Sequence, residues 1–152
     1  MNGERIQPDG KLKAEKVKIE SKIGKAAYKD SEIYGFITNF NNFRELLPAG
    51  KVSNWESTEE QCSFQVDPLG RTGLEIIEKT PCSLVKMTSL KSYSNHQFTI
   101  WIQLKLMDEK DTRVRITIEP QVNKMLIPMI KIPLKKFVDG LIDKIESFDF
   151  SA

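Results

Sequence analysis

The sequence predicts an α+β fold in which a curved antiparallel sheet grips one long C-terminal helix. Three observations carry that expectation. Period-two segments fill the middle of the chain, with turn signals every ~8–12 residues. The final stretch switches to helical periodicity over ~25 residues. Two short helical stripes stand between the first strand and all the others.

The elements follow in order. Residues 1–15 are polar and read as a flexible tail, and 16–150 as a single domain. From Lys16, Val17, Ile19, Ser21 and Ile23 alternate with Lys16, Lys18, Glu20 and Lys22, the pattern of a strand with one wet face. Ser31 is placed to cap a helix whose stripe is Ile33, Phe36, Ile37 and Phe40. Asn41 or Asn42 restarts a second helix carrying Phe43, Leu46 and Leu47, ended by Pro48 and Gly50.

Strands follow at 51–57, at Cys62, Phe64 and Val66, at Leu74 and Ile76, and at Val85 and Met87. Asp67, Pro68, Leu69 and Gly70 form a turn between two of them. Phe98, Ile100, Ile102, Leu104 and Leu106 give the longest alternating run, and a polar turn at 108–111 leads to Val114, Ile116 and Ile118. Hairpin-length links make these about seven strands antiparallel. From Asn123, the stripe Leu126, Ile130, Leu134, Phe137, Val138, Leu141, Ile145 and Phe148 marks a long helix. Pro133 removes a hydrogen bond to the Met129 carbonyl and is expected to kink it.

Composition excludes several functions. The 152 residues carry 23 basic and 21 acidic side chains, a formal net charge of +2, without the basic excess of a nucleic-acid binder. No segment approaches the ~18 apolar residues of a membrane span, and no apolar leader opens the chain. A cytoplasmic protein with no stable membrane insertion is expected. Cys62 and Cys82 are read as reduced, strand-associated residues, although one bridge between them stays geometrically open. With His96 the one histidine, no zinc set can be assembled from Cys and His, and no metal or other cofactor is expected.

No constellation announces catalysis. His96, with Tyr93 nearby, lacks a visible orienting partner and is expected to be incidental. Glu75 and Glu119 fall out of phase with their apolar neighbours and should face water, while Glu78 is in phase but expected to be exposed at its strand end. Arg71 stands where it could reach over a cavity rim, and Arg113 and Arg115 point outward by alternation. Lys131, Lys135 and Lys136 read as a solvated face beside a methionine-bearing helix start.

One helix cannot fill a strongly twisted sheet, so an apolar cavity is expected where the short helices close it. In element order, in the 31–48 segment with its Asn-Asn-Phe and Leu-Leu-Pro, in the 98–106 strand and in the 123–137 lead into the last helix, the chain resembles the SRPBCC (START-like, helix-grip) superfamily. The likeness spans about 16–148 and is greatest to bacterial single-domain members; the superfamily includes lipid-transfer START domains, plant allergen-like carriers, polyketide cyclases and coenzyme-Q-binding proteins.

The resemblance implies binding or transport of a hydrophobic, lipid-like or aromatic small molecule. The alternatives are a polyketide cyclase or aromatase-type enzyme, and a protein-interaction module. The expected cavity lining is Phe36, Phe40, Phe64, Ile76, Met87, Ile100, Ile102, Ile116, Met125, Met129 and Ile130, with the methionines near the mouth. No catalytic residue is assigned. Oligomeric state is left open.

Overall fold

The computed structural model describes residues 17–47, 50, 52–66, 70–92 and 97–151. The expected tail, the Pro48 stop, Asp67 to Leu69 of the expected turn, and Tyr93 and His96 lie outside the described residues. The strands are β1 (Ile19–Glu20), β2 (Gly24–Ala26), β3 (Val52–Ser57), β4 (Gln61–Val66), β5 (Gly70–Thr80), β6 (Leu84–Ser89), β7 (Gln97–Asp108) and β8 (Asp111–Gln121). The helices are α1 (Asp30–Ile37), α2 (Phe40–Phe43), which runs into a 3-10 turn at Arg44–Leu46, and α3 (Ile127–Ser147).

All the strands form one antiparallel sheet in the order β1-β8-β7-β6-β5-β4-β3, with β2 also on β8. From β3 to β8 each strand pairs with its chain neighbour, as short hairpins require. The N-terminal strand then closes on β8, so β3 is left as the far edge.

The eighth strand is a correction to the sequence reading, because the N-terminal strand is split. Ile19 pairs with Ile118 and Gly24 with Val114, so this strand spends one more residue than β8 over the same span. The extra residue is a bulge around Ser21. Its hydroxyl accepts from the Ile116 N–H at 2.9 Å, and its own N–H donates to the Ile116 carbonyl at 2.7 Å. Alternation therefore changes phase: Ile19 and Ser21 face inward, then Gly24 and Ala26. Ile23, expected inward, is 63% exposed.

Capping also differs in detail. Lys29 rather than Ser31 precedes α1, and Ser31 lies inside its first turn. Asn39 caps α2 by accepting from the Asn41 N–H at 2.9 Å, ahead of the expected restart at Asn41 or Asn42. Asn123 begins a 3-10 turn at Lys124–Leu126, and α3 starts only at Ile127, later than expected. Pro133 lies within α3.

The core lies between the concave face and α3. Val85, Met87, Ile102, Val114, Ile116 and Ile118 come from the sheet, and Leu134, Val138, Leu141, Ile142 and Ile145 from the helix. Gly24 lets β2 approach α3 closely, since a Cβ there would stand 2.6 Å from Ile142 Cγ2. Outside this contact, the Lys22 N–H donates to Asp139 Oδ1 at 2.7 Å and the Lys22 ammonium pairs with Asp143. Past α3, Phe148 and Phe150 pack on Phe36, with ring centroids 4.8 and 5.3 Å away, tying the chain end to α1.

Lys18, Lys22, Arg113 and Arg115 lie on the outer side, as alternation predicts. Arg115 donates to Gln103, its cross-strand neighbour, at 2.8 Å. Glu78 is exposed near the end of β5, after a register shift, which agrees with the strand-end exposure expected for it. Leu106 is 44% exposed near the end of β7, where the register with β8 also shifts. Cys62 sits in β4, whereas Cys82 stands in a turn rather than a strand, and both thiols are free.

Candidate functional site: an apolar cavity under the C-terminal helix

The concave face and α3 do not meet everywhere, and the gap is a cavity of about 50 Å³. Its floor is the inward face of the sheet: Phe64 and Val66 of β4, Thr72 and Leu74 of β5, and Met87 of β6. Phe98, Ile100 and Ile102 of β7 and Ile116 and Ile118 of β8 continue it. Its roof is Pro133, Leu134, Phe137 and Leu141 of α3. Phe43 of α2, Leu47 after the 3-10 turn, and Trp55 of β3 close one side.

β4, β5, β7 and β8 each contribute residues two apart because side chains on one face of a sheet recur with that period. The helix contributes 134, 137 and 141 because three and four residues return to one face. Trp55 arrives differently. The β3–β4 register shifts between Ser53 and Glu56, so Asn54 and Trp55 together oppose Phe64. Asn54 takes a left-handed conformation with φ 54°. The Trp55 ring stacks on Phe64 at 5.3 Å and lies 6.3 Å from Phe40.

The wall is nearly all hydrocarbon. No charged side chain among the described residues lines it, and Thr72 brings its one hydroxyl. The Trp55 Nε1 is buried and has no hydrogen-bond partner among the described residues. Nearby in β4, burial pushes the Cys62 thiol up to about 12, well short of a reactive thiolate. Among the described residues no cluster of His, Cys, Asp and Glu is arranged to hold a metal ion.

The expected lining residues fall into four groups. Phe64, Met87, Ile100, Ile102 and Ile116 lie together in the wall. Phe40 is fully buried one layer behind it, against Phe43 and Trp55, while Phe36 belongs to the cluster with Phe148 and Phe150. Ile76 and Ile130 are half-buried and pack on the core outside the wall. Met125 and Met129 stand in solvent, 82% and 72% exposed, outside the wall.

The physical reason for that last placement is helical phase. Met129 precedes Leu134 by five residues, which puts it about 140° round the helix from the inward stripe. Of the wall residues absent from the expected lining, Val66, Leu74, Phe98, Ile118, Leu134, Phe137 and Leu141 were legible as inward-facing positions. Trp55 was not, because a bulge set its direction.

No protein-family model matches the sequence, and no curated protein matches it. Solved structures do match. A START superfamily protein from Mycobacterium smegmatis superposes with TM-score 0.68 at 12% identity, over 86% of this chain and 94% of that one. Truncated norcoclaurine synthase from Thalictrum flavum gives 0.65 at 11% identity, over 89% and 96%. CalU16 from Micromonospora echinospora gives 0.52 at 14% identity, over 95% and 83%. At such identities the likeness speaks for the fold alone. No helix among the described residues is long and apolar enough to cross a membrane. The chain has the START-like helix-grip fold, and the cavity lies between its sheet and its long C-terminal helix.

Proposed function

We propose that this protein binds a hydrophobic small molecule, lipid-like or aromatic, in the cavity between the sheet and α3. The observation that carries the reading is the wall itself: among the described residues, seventeen from six strands, two helices and the turn after α2 line it, none of them charged. Such a lining favours apolar solutes through the area they remove from water. A norcoclaurine synthase of the same fold has been solved in complex with dopamine and hydroxybenzaldehyde, which supports an aromatic ligand by analogy of fold.

Size sets a condition. Pockets for small molecules usually enclose ~300–1,000 Å³. The cavity of about 50 Å³ must therefore expand on binding. The roof is its softest part, because Pro133 cannot donate to the Met129 carbonyl and α3 is weakened beside the cavity. Binding thus draws on a small displacement of the roof residues Pro133, Leu134 and Phe137.

The cyclase or aromatase alternative calls for polar side chains converging on a substrate. Among the described residues the wall offers one hydroxyl and one indole N–H, which favours binding over catalysis. The interaction-module reading has a specific observation behind it. Met125, Leu126, Met129 and Ile132 are 39% exposed or more. Lysines at 124, 131, 135 and 136 accompany them, with no acidic residue from Pro120 to Val138. Such a face suits an acidic partner, since a second copy would set lysines against lysines.

Native mass spectrometry of freshly purified protein, followed by organic extraction, tests the leading reading. An apolar adduct lost on extraction is expected, and an apolar fluorescent probe should then bind the stripped protein. Met129→Lys separates the two surfaces. Probe affinity stays the same if the cavity is the site, and falls if the exposed face of α3 holds the probe.

A further inference from the structure

We propose that the ligand is a neutral, mostly apolar molecule with one hydrogen-bond acceptor, to which the Trp55 indole N–H donates. The inference rests on the cavity being the ligand site, and it adds the chemistry of the group that orients the ligand there.

Val52 is half-buried, and regular alternation from it would send Asn54 inward. The bulge gives that inward place to Trp55 instead. Asn54 accepts a left-handed backbone to make the bulge, and its side-chain amide donates to Gln65 Oε1 at 3.2 Å. A non-glycine residue in that region is uncommon, and such strain gathers where a side chain must be aimed.

What the bulge aims is a donor without an acceptor. Indole has one polar atom, and it can only donate. Buried polar groups are nearly always paired, so a buried unpaired Nε1 calls for an account. Packing alone does not supply one. Phenylalanine could stack on Phe64 at the same 5.3 Å spacing without burying an N–H. Among the described residues the wall holds Phe43, Leu47, Phe64 and other apolar side chains beside Thr72, and none of them brings a carboxylate or amide acceptor. A ligand in the cavity is placed to supply the acceptor that the Trp55 N–H lacks among the described residues.

The same wall limits charge. An ion would lose its hydration with no opposite charge among the lining residues to replace it. A carbonyl, ether or hydroxyl oxygen on a hydrocarbon frame meets both requirements. Thr72, on β5 two strands away, brings the other polar group of the wall, a hydroxyl that can donate or accept.

Indan-1-one and indane share a ring frame and differ by one carbonyl, so they isolate the acceptor. Calorimetric titration of both into wild type and Trp55→Phe gives four affinities. The ratio of indanone to indane affinity cancels the change in packing between the proteins. A neutral hydrogen bond predicts a ratio roughly threefold to tenfold higher in wild type. Proton–nitrogen spectra of the wild type supply a second reading that needs no folded variant. The chain has two tryptophans, and Trp101 lies apart from the cavity, with the Lys18 and Lys86 ammoniums 5.1 and 5.5 Å from its ring centre. Indanone should move the Trp55 indole proton downfield, indane should not, and the Trp101 signal should stay in place. An unchanged affinity ratio with a Trp55 proton indifferent to the carbonyl overturns the proposal and leaves cavity binding standing. If neither compound binds the wild type, cavity binding fails and the proposal falls with it.

Discussion

A methyl group added at Gly24 would stand 2.6 Å from Ile142 Cγ2, inside contact distance of a fully buried side chain. Gly24→Ala should therefore destabilise the protein by about 1–3 kcal/mol, as overpacking does, read from urea midpoints. An unchanged midpoint would mean β2 and α3 separate freely. Cys62 offers a chemical test at the same scale. Its thiol is 3% exposed and pushed up to about 12, while Cys82 is half-buried in a turn. A thiol reagent at pH ~8 should modify Cys82→Ser only after denaturant is added, because thiolate and access are both required. These residues also show where alternation misleads. Ile23 reads as an inward position, yet the bulge at Ser21 turns it outward, and nothing in the residue types of that strand marks the extra residue.

The long helix shows the difference between a stripe and its neighbours. Leu141 is 3% exposed and roofs the cavity, while Met129 is 72% exposed. Leu141→Ala should cost ~2–5 kcal/mol and Met129→Ala less than ~0.5 kcal/mol in equilibrium unfolding. Equal losses would contradict the orientation of α3. The helix is also tied to the N-terminal strand through Asp139. Burial raises its carboxyl, but the Lys22 N–H at 2.7 Å and the Lys135 ammonium at 3.2 Å outweigh that and hold it below the usual range. A carboxylate depressed by folding stabilises above its unfolded value near ~3.9, and the gain is lost as pH falls through the lower folded value. Asp139→Asn keeps an acceptor for Lys22 but cannot titrate. Between pH ~5 and ~3 it should lose less stability than wild type, by under about 1 kcal/mol for so accessible a pair. Parallel acid limbs would show that Asp139 is not depressed. The helix itself was legible because its stripe runs for several turns. Its exposed methionines were assigned inward from their neighbourhood to Pro133, although helical phase alone places Met129 on the opposite face.

At the scale of the molecule, element order carried the architecture. One strand, two short helices, a meander of strands and a final helix leave few ways to bury every apolar face, and the helix-grip arrangement is the one the chain adopts. The site was legible wherever its walls follow simple alternation, as at Phe64, Met87, Ile100, Ile102 and Ile116. It was not legible at Trp55, which a left-handed asparagine aims, nor in the cavity's volume, which depends on how closely α3 seats. Methyl spectra of protein labelled at methionine and isoleucine, taken during a titration with indane, test occupancy of that cavity most directly. Saturable shifts of Met87, Ile100, Ile102 and Ile116, with Met125 and Met129 unmoved, are the predicted result; shifts confined to Met125 and Met129 would contradict it.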